Sequence, residues 1–260
     1  MIIGVVSTRN ATDILEQTLT WHLNHGVDLL GVVIHLPTED VFEIVHKFQS
    51  VLAAKLIITD PKYTQDQFLT RLRLTVEANR KLTPHDWFVH FDDDERWTRL
   101  NCLNEVSVEA WAAQTTLSTN YAPHSETEHK FEHITRRDIR QTMAKLATRA
   151  TYPIVTDQGN HGAYFFNGTR ISKERVQQVD IEIDHFPVRT LAQFKKKVLG
   201  WEEVLHFRQG PNDPRSTHWV EWLNWHKTDP TNGLIKKFQQ FMDAPQLITE
   251  LERERLKGYG

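Results

Sequence analysis

The sequence predicts an α/β fold in which helices cover both faces of a mostly parallel central sheet. Strand-like and helix-like segments alternate through the first hundred residues, and the strand-like segments are continuous apolar runs. The helix-like segments instead repeat apolar residues at intervals of three and four. Continuous apolar strands that alternate with helices are typical of parallel sheets buried on both faces. We therefore expect the order β-α-β-α-β-α-β over this part of the chain.

The predicted elements of this part follow one another without long gaps. Strands are expected at Ile2–Val6, Leu29–Leu36, Lys55–Thr59 and Trp87–Phe91, and helices at Asp13–His25, Asp40–Ala54 and Gln65–Leu82. The second helix has the clearest apolar face, because Val41, Val45 and Phe48 recur with the helical period. Gly26 is expected to end the first helix, since glycine commonly follows the last helical turn.

Beyond residue 100 the pattern is less regular. Strands are expected at Trp111–Tyr121 and Ile181–Phe186, and helices at Thr135–Arg149 and Leu191–Leu199. The chain contains no internal repeat, no low-complexity tract and no linker rich in Pro, Gly or Ser. The sequence therefore predicts one continuous domain over residues 1–260.

The bulk composition disfavours several classes of protein. The formal net charge is −3, which argues against nucleic acid as the main ligand, because phosphate backbones are bound through clustered Lys and Arg. Cys102 is the single cysteine, so an internal disulfide is impossible and a reducing, cytoplasmic location is expected. No apolar run reaches the roughly 18 residues of a membrane span, so we expect no spanning segment, and peripheral membrane contact stays open.

Four consecutive carboxylates, Asp92 to Glu95, directly follow the fourth predicted strand. Ligands of open parallel sheets bind beyond the carboxyl ends of the strands. Clustered carboxylates repel one another unless a cation offsets their charge, and oxygen ligands suit Mg²⁺ or Mn²⁺. A solvated acidic turn is the alternative, but the apolar strand before it and Trp97 after it predict a half-buried site. The sequence therefore predicts a divalent metal site at this turn.

The order of these motifs resembles that of GT-A-type glycosyltransferases, in particular the family-2-like branch. That branch has a strand, then Asp-x-Asp-Glu, then an aromatic residue. Further matching segments over about residues 1 to 205 are Ser7 to Asn10, Gly26 to Asp28, Gly159 to Gly162, His185 to Arg189, Phe194 and Lys197. The resemblance implies a GT-A-type nucleotide-binding fold. Residues 1–100 would form the nucleotide-sugar-binding half, and residues 101–260 the acceptor-binding half with C-terminal helices.

The resemblance also implies a metal-dependent glycosyltransferase with a nucleotide-sugar donor and a carbohydrate or glycolipid acceptor. Asp94, together with Asp92, would hold Mn²⁺ or Mg²⁺ against the two donor phosphates. The metal would act as a Lewis acid that stabilises the departing nucleoside diphosphate. His185 is the candidate third metal ligand, because neutral imidazole is a good ligand for Mn²⁺.

A set of donor-binding side chains is implied as well. It comprises Thr8, Arg9 and Asn10 for the base and ribose, Asp92 and Asp93 at the acidic turn, Arg71 near the donor, and Arg189, Lys195 and Lys197 for the diphosphate. Arginine suits bidentate phosphate contacts, and lysine suits point-charge contacts. Arg73 is an alternative to Arg71, and a surface helix position is the alternative for both.

Two parts of the site are less well defined. Family-2 enzymes usually carry an aspartate at the end of the second strand that reads the nucleotide base, and His35 stands there instead, so base identity stays open. Asp157 and His161 flank the Gly159-Asn160 turn and are the candidates for the base that deprotonates the acceptor hydroxyl. A polar loop is the alternative reading of both residues.

Other interpretations of the whole chain stay open. A metal-dependent nucleotidyltransferase or phosphohydrolase also places carboxylates after a parallel strand, but nucleotidyltransferases usually carry an N-terminal glycine-rich loop that this chain lacks. A catalytically inactive GT-A-like domain that binds carbohydrate or a partner is the non-enzyme alternative. Trp219, Trp222 and Trp225 recur every three residues, which favours core packing, with a sugar-stacking platform as the alternative.

Overall fold

A computed structural model gives the structure of the protein. It describes residues 1–9, 11–36, 38–60, 62–138, 144–157, 159–207 and 217–259. These residues belong to two compact units. The first unit comprises Met1–Ser118 and Thr142–Asp184, and the second comprises Thr119–Gln141 and His185–Gly260. None of the helices within the described ranges has the length and apolarity needed to cross a membrane.

The secondary structure begins with the alternation that the sequence predicts. Numbered along the chain, the strands are β1 (Ile2–Thr8), β2 (Leu29–His35), β3 (Leu52–Ile58), β4 (Trp87–Asp92), β5 (Glu95–Trp97), β6 (Ala112–Tyr121), β7 (Arg136–Asp138), β8 (Leu146–Arg149), β9 (Ile154–Thr156), β10 (Ala163–Phe165), β11 (Val176–His185) and β12 (Gln246–Leu247). The helices are α1 (Leu15–Asn24), α2 (Glu39–His46), α3 (Gln65–Asn79), α4 (Leu191–Phe207), α5 (Thr217–Thr228), α6 (Gly233–Met242) and α7 (Glu250–Lys257).

The central sheet of the first unit is mostly parallel, as predicted. Its four leading strands lie in the order β3-β2-β1-β4, and all three of their pairings are parallel. β8 pairs with β4, and β6 with β8, in the antiparallel sense. In this register Ser7 of β1 lies opposite Asp92 of β4. The carboxyl ends of β1 and β4 therefore meet at one edge of the sheet.

Helices cover both faces of this sheet because the side chains of each strand alternate between two apolar clusters. Val5 of β1 packs in one cluster with Leu72 of α3. Val6, the next residue, packs in the other cluster with Leu19 of α1 and Val41 of α2. All five side chains are buried. The predicted fold class, an α/β fold with helices on both faces of a mostly parallel sheet, is confirmed.

The predicted second helix, Asp40–Ala54, is too long at its C-terminal end. α2 ends at His46, a short 3-10 turn covers Gln49–Val51, and β3 begins at Leu52. The apolar residues after His46 continue the helical period by chance. From Leu52 onward the residues form a strand because they pair with β2, where Leu52 lies opposite Leu30.

The helix predicted at Thr135–Arg149 is wrong. The described parts of this segment form β7 and β8, and residues 139–143 lie outside the described residues. β8 is buried along its length and pairs with a strand on each side. Tertiary pairing therefore overrides the polar composition from which the helix was predicted.

In the second unit, α4, α5 and α6 pack around an aromatic core. Phe194, Trp219 and Phe238 are buried there, and Trp222 is partly buried against them. The ring of Trp201 stacks on that of Trp219 with centroids 5.0 Å apart. Core packing, the favoured reading of the tryptophan row, is thus confirmed for Trp219 and Trp222.

Gly233 begins α6 against the main chain of α5. A Cβ atom at this position would lie 2.0 Å from the carbonyl oxygen of Trp225. Since a helix backbone cannot move aside as a flexible side chain can, we expect Gly233→Ala to lower the free energy of unfolding by about 2–3 kcal/mol. Urea denaturation followed by circular dichroism measures the change.

The control for this prediction is Gly200→Ala in α4. Nothing lies within 4 Å of a Cβ atom at Gly200, so alanine should raise the free energy of unfolding by about 0.5–1 kcal/mol through its higher helix propensity. Equal effects of the two substitutions would contradict the close approach of α6 to α5.

Candidate functional site

The acidic turn joins β4 to β5 at the carboxyl edge of the parallel strands. Asp92 is the last residue of β4, Asp93 and Asp94 form the turn, and Glu95 opens β5. The Thr18 hydroxyl of α1 donates to the main-chain oxygen of Asp93 at 2.6 Å. The turn is therefore fixed to the helix that follows β1.

A buried lysine lies among the carboxylates of this turn. The ammonium nitrogen of Lys145 is 2.6 Å from Oδ2 of Asp92 and also forms an ion pair with Oε1 of Glu95. The Lys145 side chain is only 5 % exposed. Burial by itself would lower the pKa of Lys145, but the two carboxylates raise it above its ordinary value. The lysine is therefore charged, and it offsets part of the negative charge of the turn.

Glu95 supports the turn from within. It is fully buried, and its Oε2 accepts hydrogen bonds from the main-chain nitrogen of Asp92 at 3.1 Å and from Nε1 of Trp97 at 3.0 Å. With Lys145 on its other oxygen, both Glu95 oxygens are engaged by neighbouring protein groups. The residue therefore organises the turn rather than facing a ligand.

Two buried cations accompany the four carboxylates. Arg96 is fully buried and donates to the main-chain oxygen of Glu95 at 3.1 Å, and Lys145 is the second cation. Asp94 is 2 % exposed, whereas the side chain of Asp92 is 33 % exposed. Buried positive charge therefore accompanies the carboxylates of this turn.

The oxygen donors of the turn suit a hard divalent ion, but not all of them are available to it. Mg²⁺ and Mn²⁺ prefer carboxylate oxygens and share their coordination with substrate phosphates. Within the described ranges, no three or more His, Cys, Asp or Glu side chains are grouped so that they could hold a metal ion. The engaged oxygens of Glu95 argue against it as a ligand, and the metal roles of Asp92 and Asp94 stay predictions.

The end of β1 lies beside the turn. Thr8 is 2 % exposed, and its hydroxyl has no hydrogen-bond partner within the part of the chain that the structure describes. Arg9 is half-buried, and Asn10 lies outside the described residues. A buried hydroxyl without a protein partner is expected to bind water or a ligand, which is compatible with the donor role predicted for Thr8.

Asp157 and residues 159–162 are joined by short polar contacts. Oδ1 of Asp157 accepts hydrogen bonds from the main-chain nitrogens of His161 at 2.9 Å and Gly162 at 2.8 Å. Nδ1 of His161 lies 3.0 Å from the main-chain oxygen of Ala144. Because a carbonyl only accepts, Nδ1 carries the proton in the neutral ring and Nε2 carries the lone pair.

The loop is tied to the acidic turn through two consecutive residues. His161 contacts Ala144, and the adjacent Lys145 contacts Asp92. The main-chain oxygen of Asn160 also accepts a hydrogen bond from Leu146 at 3.0 Å. The structure therefore anchors the predicted catalytic loop and the predicted metal site on one short segment, residues 144–146.

A buried polar chain supports the loop from the sheet. Nδ1 of His90 on β4 lies 2.6 Å from the Thr156 hydroxyl, which lies 2.8 Å from Oδ1 of Asn160. Asn160 is fully buried and has a left-handed backbone, with φ of 63°. Burial, and to a lesser extent Arg73, lowers the pKa of His90 to about 3. His90 is therefore neutral and links the loop to the sheet.

The two candidate arginines of α3 differ completely in environment. Arg71 is exposed on the helix surface, whereas Arg73 is 1 % exposed. Arg73 donates to the main-chain oxygens of Arg149 at 2.7 Å and Ala150 at 2.8 Å. Arg73 is thus a structural residue, and donor binding by Arg71 stays a prediction.

His35 closes β2 where an aspartate was expected from the family pattern. It is 8 % exposed, and its Nε2 lies 3.3 Å from the main-chain oxygen of Asp60. Its ring packs against Phe68, with centroids 5.6 Å apart. These contacts fix His35 against α3 and the end of β3.

The remaining predicted residues lie in the second unit. Nδ1 of His185 is 2.8 Å from Oδ1 of Asn120. Arg189 is 1 % exposed and donates to the main-chain oxygen of Phe186 at 2.9 Å, and Lys197 donates to that of Pro187 at 3.3 Å. The metal role of His185 and the diphosphate roles of Arg189 and Lys197 stay predictions.

The chain matches no protein-family model and no curated protein sequence. Solved structures similar to it include S. aureus TarS 1-349, at 12 % identity and TM-score 0.40, with 89 % of this chain and 73 % of that chain covered. The inositol-1-phosphate CTP transferase from T. maritima is similar at 11 % identity and TM-score 0.36, over 80 % and 96 % of the two chains. A 4-diphosphocytidyl-2C-methyl-D-erythritol synthase matches at 12 % identity and TM-score 0.36, over 57 % and 75 %. Similarities of this degree assign neither a family nor an activity.

Proposed function

We propose that this protein is a GT-A-type glycosyltransferase that moves a sugar from a nucleotide-sugar donor to a hydroxyl group of a carbohydrate or glycolipid acceptor. The observation that carries the proposal is the acidic turn at the carboxyl edge of four parallel strands, with Asp92 opposite Ser7. Ligands of such sheets bind at this edge. The buried Thr8 hydroxyl at the end of β1, which has no hydrogen-bond partner among the described residues, supports the proposal as a second polar group near this edge.

In the proposed site the base and ribose lie against the loop after β1, and the diphosphate lies over the acidic turn. Asp92 and Asp94 would hold Mn²⁺ or Mg²⁺, and Asp93 belongs to the same donor site. A bound ion would supply Lewis-acid stabilisation of the nucleoside diphosphate. Arg71 is the remaining α3 candidate for a contact with the donor, because Arg73 donates to main-chain oxygens.

The proposed reaction is a substitution at the anomeric carbon. The bond from this carbon to the donor phosphate oxygen breaks, and a bond to the acceptor oxygen forms. On the inverting route, Nε2 of His161 accepts the proton of the acceptor hydroxyl, since Nδ1 is held by Ala144. Asp157 is the weaker candidate for this base, because its Oδ1 already accepts from two main-chain nitrogens. It holds His161 in place instead.

A nucleotidyltransferase that transfers a nucleotide to a sugar phosphate would use the same sheet edge. Such enzymes usually carry a glycine-rich loop after the first strand. The connection between β1 and α1, residues 9–14, contains no glycine, which favours glycosyl transfer. A thermal-shift panel of nucleoside triphosphates beside nucleotide-sugars separates the two classes by which ligand stabilises the protein.

Donor binding is expected to require both a divalent metal and Asp94. With Mn²⁺ present, the correct nucleoside diphosphate at 100 times its dissociation constant should stabilise the protein by about 2.7 kcal/mol. Asp94→Asn should weaken this binding at least tenfold and slow transfer by about 10²–10³-fold, in line with the loss of one preorganised electrostatic group. Calorimetry and a transfer assay measure the two effects.

The matched control is Asp180→Asn, which changes an exposed aspartate of β11 that pairs with Arg99. This variant should bind the donor as the wild type does. If Asp94→Asn binds the nucleoside diphosphate with unchanged metal dependence, Asp94 is not a metal ligand. Failure of every nucleoside diphosphate and nucleotide-sugar to bind would refute the proposed function.

A further inference from the structure

The main chain of Lys145 is held in place beside the acidic turn. Its main-chain nitrogen donates to the Thr115 hydroxyl at 2.9 Å, and its main-chain oxygen accepts from the Thr115 nitrogen at 2.9 Å. The next residue begins β8, which pairs with strands on both sides. The main chain of Lys145 is therefore fixed beside the acidic turn, within reach of Asp92 and Glu95.

The contacts of this ammonium are those of a bound cation. It touches one oxygen of Asp92 and one oxygen of Glu95, and it is almost completely shielded from water. Two carboxylates this close would repel each other strongly without a positive charge between them. Lys145 supplies that charge as part of the chain, at the place where the sequence alone predicts a metal.

We propose that Lys145 is the resident cation of the acidic turn, so that the turn is stable without metal and the divalent ion binds only together with the donor diphosphate. The second half of this statement rests on the proposed function. A free divalent ion beside Asp92 meets the repulsion of the nearby ammonium. A diphosphate brings negative charge that offsets this repulsion and adds oxygen ligands, which Mg²⁺ and Mn²⁺ readily accept.

The first test measures Mn²⁺ binding without any nucleotide. Lys145→Met removes the ammonium and keeps most of the length of the side chain, so the carboxylates should bind a divalent ion in its place. We expect the variant to bind Mn²⁺ at least tenfold more tightly than the wild type, as measured by electron paramagnetic resonance of free Mn²⁺. Its melting temperature should rise with Mn²⁺ and fall with chelator, whereas that of the wild type should not respond.

Two further variants control the test. Lys145→Arg keeps the positive charge and should bind Mn²⁺ as weakly as the wild type. Lys47→Met removes an exposed lysine that pairs with Glu16 at 2.6 Å, and it should leave Mn²⁺ binding unchanged. Equal Mn²⁺ affinity of the wild type and Lys145→Met would overturn the proposal.

If Lys145→Met does not fold, Mn²⁺ binding by the wild type, with and without a nucleotide, tests the proposal. Micromolar Mn²⁺ binding by the wild type without nucleotide would refute a resident ammonium. Weak binding that strengthens at least tenfold when a nucleoside diphosphate is added supports the proposal. Since the Mn²⁺ comparison needs no nucleotide, a protein that binds none would refute the proposed function and leave the result for Lys145 standing.

Discussion

Arg73→Met is expected to cost about 3–5 kcal/mol of folding free energy, the largest loss from any single substitution considered for this protein. The guanidinium of Arg73 is buried and donates to four main-chain carbonyl oxygens, those of Arg149, Ala150, Tyr152 and Ile154. Methionine fills similar space but donates nothing, so these oxygens lose their partner away from water. Urea denaturation at neutral pH measures the loss.

Arg71→Met is the matched control, two residues earlier on the same helix. Because Arg71 is exposed, the change should stay within about 0.5 kcal/mol. Arg73→Lys keeps the charge but cannot reach several carbonyls at once, so it should fall between the two methionine variants. A loss below about 1 kcal/mol for Arg73→Met would show that water replaces the guanidinium at these carbonyl groups.

Under the proposed function, His161→Gln is expected to slow sugar transfer by about 10²–10⁴-fold while the donor affinity stays within a factor of two of the wild type. The hydrogen bonds of Asp157 to the main-chain nitrogens of His161 and Gly162 do not involve the imidazole, so the loop should keep its shape. Glutamine cannot accept a proton as the Nε2 atom of the neutral imidazole can. The loss therefore falls on the transition state of the transfer step and not on donor binding.

Nucleotide affinity from calorimetry, measured beside the single-turnover transfer rate, tests this separation. Asp157→Asn keeps the side-chain oxygen that accepts from the loop nitrogens, and it should reduce the rate far less than His161→Gln does. Loss of nucleotide binding in a folded His161→Gln protein would assign His161 to the donor side. If neither the nucleotide affinity nor the transfer rate changes, the loop has a purely structural role.

The parts of the fold that the sequence predicts correctly are those that local pattern determines. β1 and β4 are short apolar runs, and the residues that flank them do not continue a helical pattern. α3 has a periodic apolar face. The end of α2 and the whole of β8 were mispredicted. In both places, pairing with a distant strand decides the structure, and a single sequence carries no sign of that partner.

The candidate site likewise has a part that the sequence reveals and a part that only the structure reveals. The acidic turn is visible in the sequence because its carboxylates are contiguous and follow an apolar strand. Lys145, which is 53 residues away from Asp92, carries no motif, and only the three-dimensional structure brings it to the turn. A lysine immediately before the apolar pair Leu146-Ala147 is the single local signal, and it is too common to assign a role.

The ion pairs at the acidic turn also affect the register in which β8 pairs within the sheet. β8 lies between β4 and β6, with Thr148 opposite Phe88 on one side and opposite Ala112 on the other. Sliding β8 by one residue would preserve most ladder hydrogen bonds but reverse every side chain. Ala144 or Leu146 would then face the buried Glu95, whose charge without a cation costs several kcal/mol. The ion pairs of Lys145 therefore favour the native register of β8 over a register shifted by one residue.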